Sequence, residues 1–248
     1  MAVLEHVQLA LRSKASSERA KSSAWFFKTG PGQYGEGDQF LGVTVPQQHK
    51  ISKQFYKNLS LEAMEQMLKS PWHEERLTGL FMLVLAYQKG DDFKKAQVAN
   101  LYLANTKRVN NWDLVDSSAS YILGPWLEVS QYKMKTLSKL ARSDNLWERR
   151  IAMLTTLYYI GKGDADEALQ IIEKLKHDKH DLIQKAVGWM LREIGKRVSQ
   201  EILIKFLDEN ATTLPRTTLR YAIERLPEQT RKFYLKKVKI TSLNQSKL

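Results

Sequence analysis

YYIGKGD (158–164) and REIGKRV (192–198) share the tripeptide IGK, displaced by 34 residues, and each follows an apolar run of helical period. Upstream, KLARSDNLWERRIAML (139–154) lines up loosely with KLKHDKHDLIQKAVGW (174–189). LKSPWHEERLTGLFMLVLAYQKGD (68–91) has the same shape: a short helix, a polar turn, a longer apolar helix and a Gly-containing end. A repeat of this length built from helix pairs predicts an α-solenoid of the HEAT or armadillo kind, because one pair cannot bury its apolar face alone and must stack on the next. The expected fold class is all-α. HEAT-like helical-pair repeats would form a curved solenoid whose concave, basic side is the natural binding groove. Residues 1–248 would form a single such domain, with 238–248 as a flexible tail.

Helical periodicity extends almost from end to end, and no apolar stretch alternates with period two. Helices are predicted over 3–15, 17–27, 46–57, 60–69, 73–88, 91–105, 111–121, 123–129, 131–142, 146–160, 164–176, 180–196, 199–209, 215–225 and 227–237. Ser60 and Asn145 supply start signals, Pro215 suits a first helical position, and Gly90, Gly161 and Gly195 read as stops. The exception is 28–46, which holds five of the chain's 12 glycines. Gly30-x-Gly32-x-x-Gly35 matches a dinucleotide fingerprint in letters only, since a helix precedes it and more loop follows, where a strand and a helix are required. Two readings stay open for this loop: a turn-rich connection, or backbone amides that contact a DNA phosphate.

Thirty-nine Lys and Arg against 27 Asp and Glu leave a net charge of +12. The excess favours a polyanionic partner, and its spread through helical segments (Glu148-Arg149-Arg150, Lys196-Arg197, Lys236-Lys237) favours a folded basic surface. The chain has no cysteine, which excludes a disulfide framework, a thiolate metal site and a cysteine nucleophile and fits a reducing cytoplasm. Met1 is followed by a mixed amphipathic stretch with no secretory pattern. The longest apolar run, 79–87, is far short of the roughly 20 residues a membrane span needs. His177 and His180 lack a third ligand, and His6, His49 and His73 are isolated. No metal or organic cofactor is indicated.

In NNWDLVDSSAS (110–120) a helical wheel puts Leu114, Val115, Ser118, Tyr121 and Ile122 on the core side and Trp112, Asp116 and Ser120 opposite. An Asn111 cap and the helix dipole account for Asp113 but not for Asp116, one turn further on. Trp112 either packs on the next repeat or faces a ligand. In 182–195 the core stripe is Ile183, Ala186, Val187, Met190 and Ile194. Trp189 sits at its margin beside Lys185 and Arg192, and Gly188 leaves room for something large to approach. In 145–159 Trp147, Ile151, Leu154 and Tyr158 form the core face. Arg149 points away from it and Arg150 flanks it, placed either to bridge a phosphate or to pair with a neighbouring repeat. Trp25, Trp72 and Trp126 read as packing residues.

WDLVD (112–116), SDNLWERRIAML (143–154), LIQKAVGWMLRE (182–193) and FFKTGPGQYGEGDQFLGVTVP (26–46) together resemble the signature segments of the AlkD-like DNA alkylation repair family. The resemblance spans about 20–225. It implies a HEAT-like solenoid that holds duplex DNA and a glycosylase that removes positively charged alkylated purines, such as 3-methyladenine and 7-methylguanine, without flipping the base. It also implies Asp116 as the catalytic residue, Trp112 and Trp189 as contacts to the lesion nucleotide, and Arg150 as a phosphate contact, with Arg149 and Lys185 as further phosphate-binding candidates. A cytoplasmic monomer acting on alkylated double-stranded DNA is expected. Two rivals are a non-catalytic HEAT-repeat protein that binds branched or distorted DNA, and a protein-binding scaffold; the scaffold accounts for neither the charge nor the off-core tryptophans.

Overall fold

The computed structural model describes residues 3–245, with side chains through Lys237. Two compact units divide the chain at 126/127. The first holds α1 (Val3–Arg12), α2 (Ser17–Phe26), α3 (Val45–Phe55), α4 (Leu61–Leu68), α5 (His73–Lys89), α6 (Asp92–Ala104), α7 (Trp112–Asp116) and most of α8 (Ala119–Glu128). The second holds α9 (Lys133–Ala141), α10 (Leu146–Thr155), α11 (Leu157–Gly161), α12 (Asp166–Leu175), α13 (Asp181–Arg197), α14 (Gln200–Asn210), α15 (Arg216–Ala222) and α16 (Glu228–Gln245). Among the described residues no strand forms, and the one isolated bridge joins Gln39 to Trp72. The all-α, paired-helix fold class is therefore as the sequence predicts, with α4 packed on α5, α9 on α10 and α12 on α13. Of the tail expected at 238–248, residues 238–245 continue α16 and 246–248 fall outside the described residues.

Each unit is organised on one central helix. In the first, α5 packs against α1, α3, α4, α6 and α7. Every residue from His73 to Leu83 is buried, so this helix has no solvent stripe over its first three turns, as expected of a helix surrounded by others. In the second, α13 packs against α10, α11, α12, α14 and α15. Its predicted stripe of Ile183, Ala186, Val187, Met190 and Ile194 is fully buried, each large side chain contributing roughly 1.5–3 kcal/mol by leaving water.

Three departures from the periodicity reading have a local reason. The helix predicted over 111–121 stops at Asp116, and the next continues through Ile122 to Glu128. The Ser118 hydroxyl donates back to the Leu114 carbonyl at 2.6 Å, while the Ser117 N–H turns to the Asp113 and Val115 carbonyls. Serine side chains compete with the helical ladder in this way. The helix predicted over 146–160 breaks at Thr156, where the Thr155 and Thr156 hydroxyls each donate to a carbonyl one turn back. Gly195 does not end its helix. It lies inside α13, where a Cβ would come 2.5 Å from the Leu203 side chain, so it permits α14 to approach closely. Ser60 and Asn145 cap α4 and α10 through their side chains, and Pro215 occupies the N-cap of α15, one position before the first helical residue.

Candidate functional site

The four residues His73-Glu74-Glu75-Arg76 open α5, and all four are buried. Buried charges must be paired or hydrogen-bonded, and each of these finds a partner on a different segment. The Glu74 carboxylate accepts the backbone N–H groups of Leu41 (2.9 Å), Gly42 (2.7 Å) and Val43 (3.2 Å). Glu75 pairs with Arg12 of α1 at 2.9 Å, and Arg76 pairs with Asp38 and donates to the Ser70 carbonyl. His73 bridges two carboxylates, with Nδ1 3.0 Å from Asp38 Oδ2 and Nε2 2.8 Å from Asp113 Oδ2. Burial alone would push the His73 pKa down. Asp113 and then Asp38 outweigh it, and the value is pushed up to about 9, a shift that favours the imidazolium form at neutral pH.

These bonds fix the glycine-rich loop. The loop also closes on itself, since the Gly32 N–H donates to Glu36, the Gly30 N–H to Gln33 and the Gly35 N–H to the Lys28 carbonyl. The amides of Gly30, Gly32, Gly35 and 41–43 thus have acceptors within the chain, which supports the turn-rich connection over phosphate contact by these groups. Gly42 has φ +78°, and a Cβ there would meet the Ser16 carbonyl oxygen at 2.2 Å, so only glycine fits.

α7 is mounted on this hub. Asn111 caps it, accepting the Trp112 N–H at 2.8 Å, and donates through its side chain to Asp38 at 3.3 Å. Trp112 is half-buried and stacks on Phe27, with centroids 5.3 Å apart and planes at 25°, while Phe26 meets its edge at 5.9 Å. Trp112 thus packs against the N-terminal segment and not on the following repeat, and part of it stays accessible. Asp116 is also half-buried and lines an open recess of about 390 Å³ with His49, Lys53, Phe81, Val84, Leu85, Gln88, Ser117 and Tyr121. The His49 ring lies flat on Phe81 at 3.8 Å, and burial, then Lys53, lowers its pKa.

The wheel placed two neighbours of Asp116 wrongly. Tyr121, assigned to the core, is 52% exposed, and Ser120, assigned to the outer side, is 7% exposed. The break at Ser117–Ser118 shifts the angular register, so the wheel misplaces Ser120 and Tyr121, while Ser118 and Ile122 are buried as read. Trp25, read as a packing residue, is 84% exposed. His73, read as isolated, is the most heavily bonded histidine of the unit. Its partners Asp38 and Asp113 are 35 and 40 residues away, and no spacing rule links them.

In the second unit, the Arg150 side chain is buried, and its Nη1 donates to the Leu182 carbonyl at 2.6 Å, tying α10 to α13. Arg149 pairs with Asp178 through Nε at 2.7 Å and donates from Nη1 to the Ser143 and Asp144 carbonyls. Lys185 pairs with Asp181 at 2.9 Å. Trp189 is half-buried, with its indole N–H 3.3 Å from Glu193, which also takes Arg197 at 2.6 Å. Burial opposes ionisation of Glu193, but Arg197 prevails and the carboxyl sits below its ordinary range. Gly188 does leave room for a close approach, and the occupant is α15: a Cβ would lie 2.5 Å from the Thr218 carbonyl oxygen and from Tyr221 Cβ.

Among the described residues no group of three or more His, Asp or Glu is placed to hold a metal ion, and no helix is long and apolar enough to cross a membrane. No curated protein matches the chain significantly. A solved structure described as a predicted DNA alkylation repair enzyme from Enterococcus faecalis matches with a TM-score of 0.67 at 19% identity, covering 87% of this chain and 98% of that one. At that identity the likeness speaks for the fold. The family model for DNA alkylation repair enzymes matches residues 7–226, nearly the whole described chain, and includes every candidate site residue. The chain belongs to the DNA alkylation repair enzyme family.

Proposed function

We propose that the protein is a DNA glycosylase that hydrolyses the N-glycosidic bond of cationic alkylpurines, 3-methyladenine and 7-methylguanine, in duplex DNA. The observation that carries this reading is α7 itself. It presents a half-buried indole and, one turn later, a carboxylate at an open recess that also holds Lys53. Alkylation at a ring nitrogen makes the base a good leaving group, so no strong general acid is needed. Breaking the bond develops positive charge on the sugar. An anionic Asp116 stabilises that charge and orients the attacking water. Trp112 offers an aromatic face to the cationic nucleotide, a contact that contributes about 2 kcal/mol when desolvated, and Trp189 keeps the lesion-contact role that the family resemblance implies.

Arg149 and Lys185 hold the DNA backbone by exchanging Asp178 and Asp181 for phosphate oxygens. Arg150 joins them as a cation that already orients α13, and hence Trp189, through Leu182. The reaction proceeds with the base still stacked in the duplex, as the family resemblance implies, and needs no cofactor.

Asp116→Asn tests the assignment. The variant is expected to bind duplex DNA within about twofold of wild type and to lose base release by about 10²–10³-fold, the loss typical when a group that stabilises transition-state charge is removed. Release of 7-methylguanine from methylated duplex at the wild-type rate would overturn the catalytic role. Binding without release by the wild-type chain would favour a non-catalytic reader of damaged or distorted DNA.

A further inference from the structure

Trp112 stands between two residues that are tied to one buried ionic cluster. On one side, Asn111 caps α7 and donates to Asp38. On the other, Asp113 accepts from His73, and its backbone carbonyl accepts the Ser117 N–H that closes the helix behind Asp116. Asp38 accepts from His73, Arg76 and Asn111 together. The His73 ring packs against both Phe27 (4.9 Å) and Phe40 (4.7 Å), and Phe27 in turn stacks on Trp112. A helix of five residues makes too few internal hydrogen bonds to fix its own direction. The direction of α7 is set from outside, and His73 reaches both the loop, at Asp38, and the helix, at Asp113, from a third element, α5.

We infer that His73 is a positioning residue, an imidazolium clamp that holds Trp112 and Asp116 in working orientation by binding Asp38 with one nitrogen and Asp113 with the other. The inference rests on the glycosylase reading for what the orientation serves, but the clamp itself can be tested without it.

The charge balance requires the cation. Asp38, Asp113, Arg76 and protonated His73 sum to zero, and a neutral imidazole would leave a buried excess of one negative charge. The other charged groups of the surrounding elements are engaged elsewhere: Glu74 on the loop amides, Glu75 on Arg12 of α1, and Arg19 of α2 on the Gly42 carbonyl. A neutral ring also has only one N–H, so one of the two carboxylates must lose its bond. Deprotonation therefore releases either the loop or α7, with the folded-state pKa near 9 setting where this begins.

The test combines kinetics with a direct view of the ring. Single-turnover release of 7-methylguanine is followed from pH 6 to 10 for the wild type, His73→Gln and Asp113→Asn, alongside duplex affinity. The wild-type rate is expected to fall on an alkaline limb centred near pH 9, after correction for spontaneous loss. Both variants should bind duplex within about twofold of wild type, lose about 10²-fold in rate as misplacement of a reacting group does, and lack that limb. A purely structural histidine would lower stability without moving the limb. Wild-type rate and limb in folded His73→Gln would overturn the inference.

Nitrogen-15 spectra of the wild-type imidazole provide the second arm. Both ring nitrogens protonated at pH 7.5 support the clamp, while a ring that titrates at an ordinary histidine pKa or carries one proton at pH 7.5 overturns it. Should the wild type release no base at any pH, the glycosylase reading fails, and the spectra still decide the clamp. They also decide it should His73→Gln not fold.

Discussion

Gly188 has no side chain, and α15 occupies the space one would need, with the Thr218 carbonyl oxygen and Tyr221 Cβ both 2.5 Å from where a Cβ would lie. Backbone cannot yield as the tip of a long side chain can. Gly188→Ala should therefore force α13 and α15 apart and cost about 1–3 kcal/mol, the usual penalty for overpacking. Urea unfolding checks this, and a midpoint within error of wild type would refute the close packing. The adjacent Trp189 would shift with α13, so base release should fall with stability in that variant. The sequence showed that Gly188 makes room, but not for what, because residues 218–222 lie some thirty positions away. The same limit hid His73. A lone histidine in a row of charges has no local signature, and only the folded loop and α7 bring Asp38 and Asp113 to its two nitrogens.

α5 begins with four consecutive buried ionisable residues, and a reading by periodicity takes such a run for a solvated first turn. The chain folds the other way, since each of the four bonds to a neighbouring segment. Glu74 is the clearest case. Its two oxygens take three successive amides from the end of the glycine-rich loop. Glu74→Gln keeps the shape but offers one acceptor oxygen and no charge. It should destabilise the protein by about 2–3 kcal/mol, given that hydrogen bonds to charged groups are worth roughly 1.5–3 kcal/mol each. Amide exchange at Leu41–Val43 should accelerate more than at α13, and uniform acceleration across both units would mean that the loop is not held locally. Helix existence was legible nearly everywhere because apolar period and caps agree. Breaks at Ser117–Ser118 and Thr155–Thr156 were not, because hydroxyl groups bonding back to carbonyls leave the apolar pattern intact.

At the scale of the molecule, two properties follow from charge. The first is stability against pH. The His73 pKa is raised from an ordinary 6.5 to about 9, so its contribution is fully present below pH 6.5 and is lost as pH rises through 9. Asp38 is shifted the opposite way, its burial outweighed by His73 and Arg76, so its contribution is present above the ordinary carboxylate range and lost as pH falls below it. Stability should therefore be highest near neutral pH and drop by about 3 kcal/mol by pH 10, from the His73 shift alone. Thermal unfolding at pH 7 and pH 10 reads this, and His73→Gln should flatten the alkaline side. The second property is salt dependence. With +12 net charge, duplex affinity should fall steeply and linearly on a log–log salt plot, at roughly −0.9 per phosphate neutralised. An affinity indifferent to salt would argue against a DNA role for this surface. The fold class was readable because helical apolar period runs through nearly the whole chain, and Trp112, Asp116 and Trp189 stood out as candidates because they sit in short, specific segments. The distant partners of Arg149 and Arg150 were not, since Asp178 and Leu182 lie 29 and 32 residues further along the chain.

The uneven exposure of the tryptophans has an optical consequence. Trp25 is 84% exposed and Trp147 is buried, so the intrinsic fluorescence should separate into a red component open to acrylamide and a blue component shielded from it. Trp25→Phe removes the first without touching α7 or α13. The emission left in that variant is dominated by the half-buried indoles, Trp112 and Trp189 among them, and becomes a label-free signal for a duplex arriving at those two side chains.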